Sequence, residues 1–97
     1  MTNFEQIKEI LIQSKPIVQD KYQVKELGIF GSYVRGEQNE SSDVDVLIDF
    51  EQAPSLLKFI ELENYLSDTI GIKVDLVMKR ALKPRIGNNI LEEVIYV

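Results

Sequence analysis

Between Val44 and Phe50 every second residue is apolar: Val44, Val46, Ile48 and Phe50 occupy one parity, and Asp45, Leu47 and Asp49 the other. Successive side chains of a strand point to opposite faces, so this period of two builds a face that must be covered and an opposite face carrying two acids. Such a strand needs neighbours and a layer packed over it. Val24 to Phe30 (VKELGIF) and Ile72 to Val77 (IKVDLV) read as two further strands. The covering layer comes from helical stripes. Phe4, Ile7, Ile10, Leu11, Ile17 and Val18 recur at helical spacing, with Thr2 and Glu5 set as a capping box. Pro16 interrupts that stripe. A proline inside a helix costs about 3 kcal/mol, which predicts a bend, or a restart capped by Ser14. A second helix opens at Pro54 and Ser55, carries Leu56, Phe59, Ile60, Leu62, Leu66 and Ile70 as its apolar stripe, and stops at Gly71 in a left-handed turn. A third spans about Ile86 to Val94, with Ile86, Ile90, Leu91 and Val94 expected in the core. The order helix, strand, turn, strand, helix, strand, helix predicts an α/β (α+β) fold, a short mixed sheet flanked by helices, with residues 1–97 forming one domain.

Composition narrows the chemistry. The 97 residues include neither cysteine nor histidine. Disulfides, thiolate or imidazole zinc sites, cysteine nucleophiles and Ser-His-Asp hydrolysis are therefore excluded. Catalysis would rest on carboxylates, Lys, Arg, Tyr, hydroxyls, backbone groups and a hard metal ion. Sixteen acids against eleven bases give a net charge of −5, so the chain lacks the basic footprint of a nucleic-acid binder and no direct nucleic-acid binding is expected. No apolar run approaches the roughly 20 residues of a membrane span, and the first ten residues do not read as a signal peptide. The expected location is the cytoplasm, away from membranes.

Residues 28–50, GIFGSYVRGEQNESSDVDVLIDF, hold the informative chemistry. Gly31-Ser32 follows a strand directly. A glycine there allows a sharp turn whose N–H groups can approach an anion, and Ser32 adds a hydroxyl donor; taken alone, such a pair is most often an ordinary turn. Asp43 and Asp45 are two apart in an extended segment, so they project to one side with Cα atoms roughly 6.5 Å apart. Two carboxylates at that spacing can share or bridge magnesium, which favours oxygen ligands completed by phosphates and water. The alternative is a solvated strand face. Asp75 lies among apolar neighbours in its own strand, where an unpaired charge is costly to bury. If that strand lies beside the Asp43/Asp45 strand, Asp75 completes a three-carboxylate cluster suited to phosphoryl or nucleotidyl transfer. Arg35, one helical turn past Ser32, reaches either a phosphate or a surface ion-pair partner. Lys79, Arg80, Lys83 and Arg85 line the site or form a solvated face. Asp49 lies roughly 13 Å along the strand from Asp45, too far for direct ligation. Tyr33 either borders the nucleotide or packs, with packing as its default role.

The ordered set Gly31-Ser32, Arg35-Gly36, Ser42-Asp43-Val44-Asp45 and Val74-Asp75-Leu76 resembles the DNA polymerase β-like nucleotidyltransferase superfamily. More closely, nearly the whole chain is similar to the minimal nucleotidyltransferases of bacteria and archaea. That resemblance implies that Asp43 and Asp45 bind two magnesium ions, and that Ser32 and the Gly31 backbone hold the phosphates of ATP. It also implies that Asp75 completes the metal site and helps deprotonate the attacking hydroxyl. Family members of this length often act as antitoxins that transfer AMP from ATP to a tyrosine hydroxyl of a HEPN RNase toxin, so a HEPN-family partner is implied. Two other functions stay open: a binding module that masks its partner stoichiometrically, and a transferase subunit acting on a small molecule or an RNA end.

Overall fold

The computed structural model describes residues 3–97. Helix α1 (Phe4–Tyr22) leads into strand β1 (Val24–Phe30), a single helical turn α2 (Ser32–Arg35), strand β2 (Val44–Phe50), helix α3 (Leu56–Ile70), strand β3 (Val74–Met78), a 3-10 turn (Lys79–Ala81), helix α4 (Pro84–Glu93) and the short strand β4 (Ile95–Tyr96). The sheet order is β3-β2-β1-β4. β1 runs antiparallel to β2 and β4, whereas β2 and β3 are parallel and joined across α3. This is the predicted mixed sheet with helices.

The register sorts side chains as the alternation in β2 demands. Leu27 faces Ile48 and Ile29 faces Val46 across the β1–β2 pair, and Val46 lies beside Leu76 across β2–β3. These residues join Ile7, Leu11, Val18 and Tyr22 of α1 and Leu62, Leu66 and Ile70 of α3 in one core. The opposite parity, Phe30, Asp45 and Asp75, therefore shares the other face.

Several expectations need correction. The capping-box position Thr2 lies outside the described residues; the described helix is capped by Asn3, which exchanges hydrogen bonds of 3.0 Å with Gln6. Pro16 neither ends nor restarts α1, which continues to Tyr22. Pro16 is exposed, so the Ile12 carbonyl it leaves without an intrahelical donor lies on the wet side, while buried Val18 and Tyr22 hold the rest of the helix to the sheet. Ser14 caps nothing; its hydroxyl donates to the Ile10 carbonyl at 2.8 Å. In α3, Ser55 and Gly71 cap as predicted, but Leu56 and Ile60 are exposed: Leu62, Leu66 and Ile70 are the buried line of the helix, with Phe59 packed beside it. In α4 Ile86 and Leu91 are exposed and Ile90 and Val94 only half-buried; Gly87 alone is buried. The third strand begins at Val74, two residues later than predicted. Strand β4 was not predicted.

Glycine at residue 28 gives β4 close approach to β1. A Cβ there would stand 2.6 Å from Val94 Cγ2 and 3.2 Å from the Ile95 carbonyl oxygen. The opposite edge is closed by side chains: Ser67 Oγ accepts from the Val74 N–H and Glu63 Oε2 from the Leu76 N–H, each at 2.9 Å. Residues 63 and 67 are one turn apart on α3, so a single helix face covers the free edge of β3.

Candidate active site

The bend after β1 is built on Gly31, which has φ 83° and ψ −154°, a combination essentially restricted to glycine. Its carbonyl accepts from the Val34 and Arg35 amides at 3.0 and 3.2 Å, which winds α2, and Gly36 closes the turn in a left-handed conformation. The Ser32 and Tyr33 amides are the first of the turn and so have no intrahelical acceptor. Tyr33 is buried in the core, which makes packing its role. Gly31 also gives close approach: a Cβ at this position would collide with the Asp45 carboxylate, standing 2.9 Å from its Cγ.

Asp45 is the centre of the acidic group. Its Cα partners are Phe30 in β1 and Asp75 in β3, so the two aspartates are lateral neighbours on one sheet face, with strands about 4.8 Å apart. Burial pushes the Asp45 carboxyl above the usual carboxylate range, and the charges of Asp75 and Asp43 push it the same way against the opposing pull of Arg35. Asp43 precedes β2, is half-buried, and lies 3.9 Å from Lys73 Nζ. Asp75 is exposed, not buried among the apolar residues that flank it in sequence, because the face it occupies carries no covering helix at that point. Among the described residues no three acidic side chains are drawn together closely enough to enclose a metal ion. The carboxylates therefore share a face and a field without forming a closed cage.

Arg35 is engaged by two carboxylates: Nε donates to Glu37 at 2.8 Å and Nη1 donates to Glu93 at 2.7 Å. Sequence reasoning missed Glu93, at the end of α4. Its other oxygen, Oε2, accepts the Gly31 N–H at 2.7 Å, so one carboxylate spans both the bend and the arginine. Burial works to raise its pKa, but the bonds from Arg35 and Gly31 outweigh it and hold the carboxyl below its ordinary range. No spacing rule could have found a contact between residues 58 and 62 apart in sequence. Two residues of the basic cluster, Lys79 and Arg80, lie elsewhere. Lys79 pairs with Glu26 at 2.8 Å and Arg80 with Asp49 at 3.1 Å, at the ends of β2 and β3 opposite Asp45 and Asp75. Neither lines the acidic site.

A glycine bend packed against Asp45, with Asp75 beside it on a four-stranded mixed sheet, defines a class that comparison with known proteins identifies. The family model of the nucleotidyltransferase domain matches residues 11–97, and the chain belongs to that family of enzymes. It is 55% identical to the protein adenylyltransferase MntA of Thermococcus cleftensis over all of this chain and 98% of that protein. A solved structure described as a "putative minimal nucleotidyltransferase" superposes with a TM-score of 0.82 at 31% identity, covering 97% of this chain and 95% of the other. A chain of a solved structure of the tri-AMPylated Shewanella oneidensis HEPN toxin in complex with MNT antitoxin matches with a TM-score of 0.69 over 93% of this chain and 70% of that one; at 16% identity the likeness is one of fold. Among the described residues no helix is long and apolar enough to cross a membrane.

Proposed function

We propose that the chain is a magnesium-dependent transferase that moves AMP from ATP to a tyrosine hydroxyl of a HEPN-type toxin, inactivating it as its antitoxin. The observation that carries this reading is the setting of Asp45, held between the side-chain-free Cα of Gly31 and its neighbour Asp75. Family membership supports nucleotidyl transfer, and the relative named as a protein adenylyltransferase, matched along its length, supports a protein acceptor. The AMP-bearing HEPN toxin found with an antitoxin of this fold supports the partner class.

The donor set suits magnesium: hard carboxylate oxygens, one of them in a setting that disfavours its own charge until a cation arrives. Asp43, Asp45 and Asp75 would hold the metal, two ions in all, whose chemistry is to neutralise charge on the transferring phosphate. The Gly31-Ser32 bend receives the triphosphate with Ser32 as hydroxyl donor, and Arg35 supplies positive charge beside it. The acceptor oxygen forms a bond to the α-phosphorus, the bond from that phosphorus to the bridging oxygen breaks, and pyrophosphate leaves with the electron pair. Asp75, exposed to an incoming partner, accepts the hydroxyl proton.

The test is the intact mass of a HEPN-type partner after incubation with this chain, ATP and magnesium. A gain of one or more AMP units, mapped to tyrosine, is expected. Full loss of the partner's RNase activity at unchanged mass would replace the transferase with a mask that acts by binding alone.

A further inference from the structure

The contact that the proposed chemistry leaves unexplained is Glu93. One carboxylate takes the Gly31 N–H and the Arg35 guanidinium, both at 2.7 Å, from an element more than fifty residues away in sequence. Two roles are open to such a group: a strut that shapes the bend, or a plug that occupies the place of a phosphate and must leave.

The backbone around Glu93 decides between them. Immediately after it, Ile95 and Tyr96 pair with Ile29 and Gly28 of β1. The Val97 N–H donates to the Leu27 carbonyl at 2.9 Å, and Lys15 Nζ donates to the Val97 carbonyl oxygen at 2.8 Å. Val94 sits where a side chain at Gly28 would otherwise be. This ladder fixes the Glu93 backbone against β1, so its carboxylate can leave only by a side-chain rotation that gives up both 2.7 Å bonds. A second carboxylate, Glu37, holds Arg35 from its own loop, so the guanidinium is braced from two sides.

We propose that Glu93 is a positioning residue of the nucleotide site, a fixed strut that orients the Gly31 peptide and the Arg35 side chain so that the bend is preformed for phosphate. This rests on reading Gly31-Ser32 as the triphosphate bend. It assigns the Gly31 N–H to the strut and leaves the Ser32 hydroxyl and the Ser32 and Tyr33 amides to meet the anion. It also gives the C-terminal strand a function, since β4 becomes the anchor that fixes one side of the nucleotide site.

The experiment is calorimetric titration of the full chain with an ATP analogue carrying a nonhydrolysable α,β bridge, in magnesium, alongside kcat and KM for ATP. Glu93→Ala should raise the Kd about tenfold, the scale of a lost charge-assisted hydrogen bond. KM should rise in step while kcat changes much less. Glu93→Gln, which keeps an oxygen for the Gly31 N–H and loses the charge opposite Arg35, should weaken binding by about two- to threefold. Lys15→Ala loosens the same terminal strand away from the bend, and should lower Tm without moving the Kd. Unchanged affinity in both Glu93 variants, with normal binding by the parent chain, would overturn the strut. Tighter binding in Glu93→Ala would overturn it in favour of a plug. Should Glu93→Ala fail to fold, the near-isosteric Gln variant decides alone, and an unchanged Kd in it sinks the strut. Failure of the parent chain to bind the analogue would remove the phosphate reading of the bend, and the strut with it.

Discussion

Gly31 and Asp45 touch across the antiparallel β1–β2 pair so closely that residue 31 has no room for even a methyl group. The register makes this unavoidable: Phe30 is opposite Asp45, so the first residue beyond β1 turns directly over that carboxylate. One glycine therefore serves two ends. It supplies a backbone conformation closed to other residues, and it lets the bend lie against the acid at the centre of the proposed metal site.

Gly31→Ala should consequently damage stability and activity together. The glycine-only backbone region costs about 1–3 kcal/mol for a residue with a Cβ, and the overlap with Asp45 adds to it. A loss of about 2–4 kcal/mol should appear as a drop in Tm of about 10–20 °C for a chain of this size. The activity of the surviving folded fraction should also fall, because Asp45 must move. Calorimetric unfolding with AMP transfer at low temperature checks both, and a variant within about 3 °C of the parent would show that the bend has an alternative conformation.

Asp45→Asn should act in opposite senses on stability and on catalysis. Burial and the neighbouring acids raise the Asp45 carboxyl in the folded chain. Between the value of an unfolded aspartate and that raised value, the native state holds more protons than the unfolded one. Stability therefore falls as pH rises through this window and stays penalised above it. The asparagine variant lacks that penalty, so without divalent ions at neutral pH its Tm should rise by about 2–5 °C, with a flatter pH profile just above the ordinary aspartate range. Added magnesium should stabilise the parent more than the variant. Thermal scans over pH, with chelator and with magnesium, measure both; a lower Tm for the variant in chelator would mark Asp45 as a structural acceptor.

The same substitution, and Asp43→Asn, should reduce transfer of label from α-labelled ATP to the partner by about a hundredfold or more, the scale of losing one preorganised electrostatic contact to the transferring group. Affinity for the partner should stay within about threefold. Retention of full partner neutralisation in the double variant, measured by RNase assay at equal occupancy, would argue for masking.

How much of this was legible in the sequence follows from the range of the forces involved. Strand β2 was readable because period-two alternation is local, and the Ser55 and Gly71 caps because capping uses residues within one turn. The Gly-Ser bend and the acids at 43, 45 and 75 could be named, and the parallel β2–β3 register puts Asp45 and Asp75 side by side. What escaped depended on distant neighbours. The stripe of Ile86 and Leu91 on α4 reads as core, but among the described residues no element covers it. Strand β4 holds only two residues, too few to show a period. Glu93 looks like any surface acid in a helix until the fold brings α4 to the bend. Lys79 and Arg80 follow Asp75 in sequence, but a strand carries them to the far end of the sheet, where Glu26 and Asp49 receive them.

The free edge of β3 supports the last prediction. An edge strand presents a row of unpaired N–H groups that invites another chain to pair with it. Here α3 supplies acceptors in place of a fifth strand, Ser67 for Val74 and Glu63 for Leu76. Glu63→Ala removes one of them and leaves a part-buried amide without its acceptor, a loss of about 1–2 kcal/mol. Glu63→Gln keeps a carbonyl oxygen at the same reach and should recover most of it. The Ala variant should therefore unfold earlier, exchange the Leu76 amide with solvent about tenfold faster, and self-associate at high concentration, while the Gln variant behaves like the parent. Hydrogen exchange at Leu76 with sedimentation over a concentration series distinguishes these outcomes. Equal exchange in the Ala and parent chains would mean that water or a shifted Ser67 replaces the carboxylate and that the edge needs no side-chain cover. Because Asp75 lies between the two amides on this strand, faster opening of the edge should also weaken magnesium-induced stabilisation, which ties the far side of the sheet to the acidic site through a single strand.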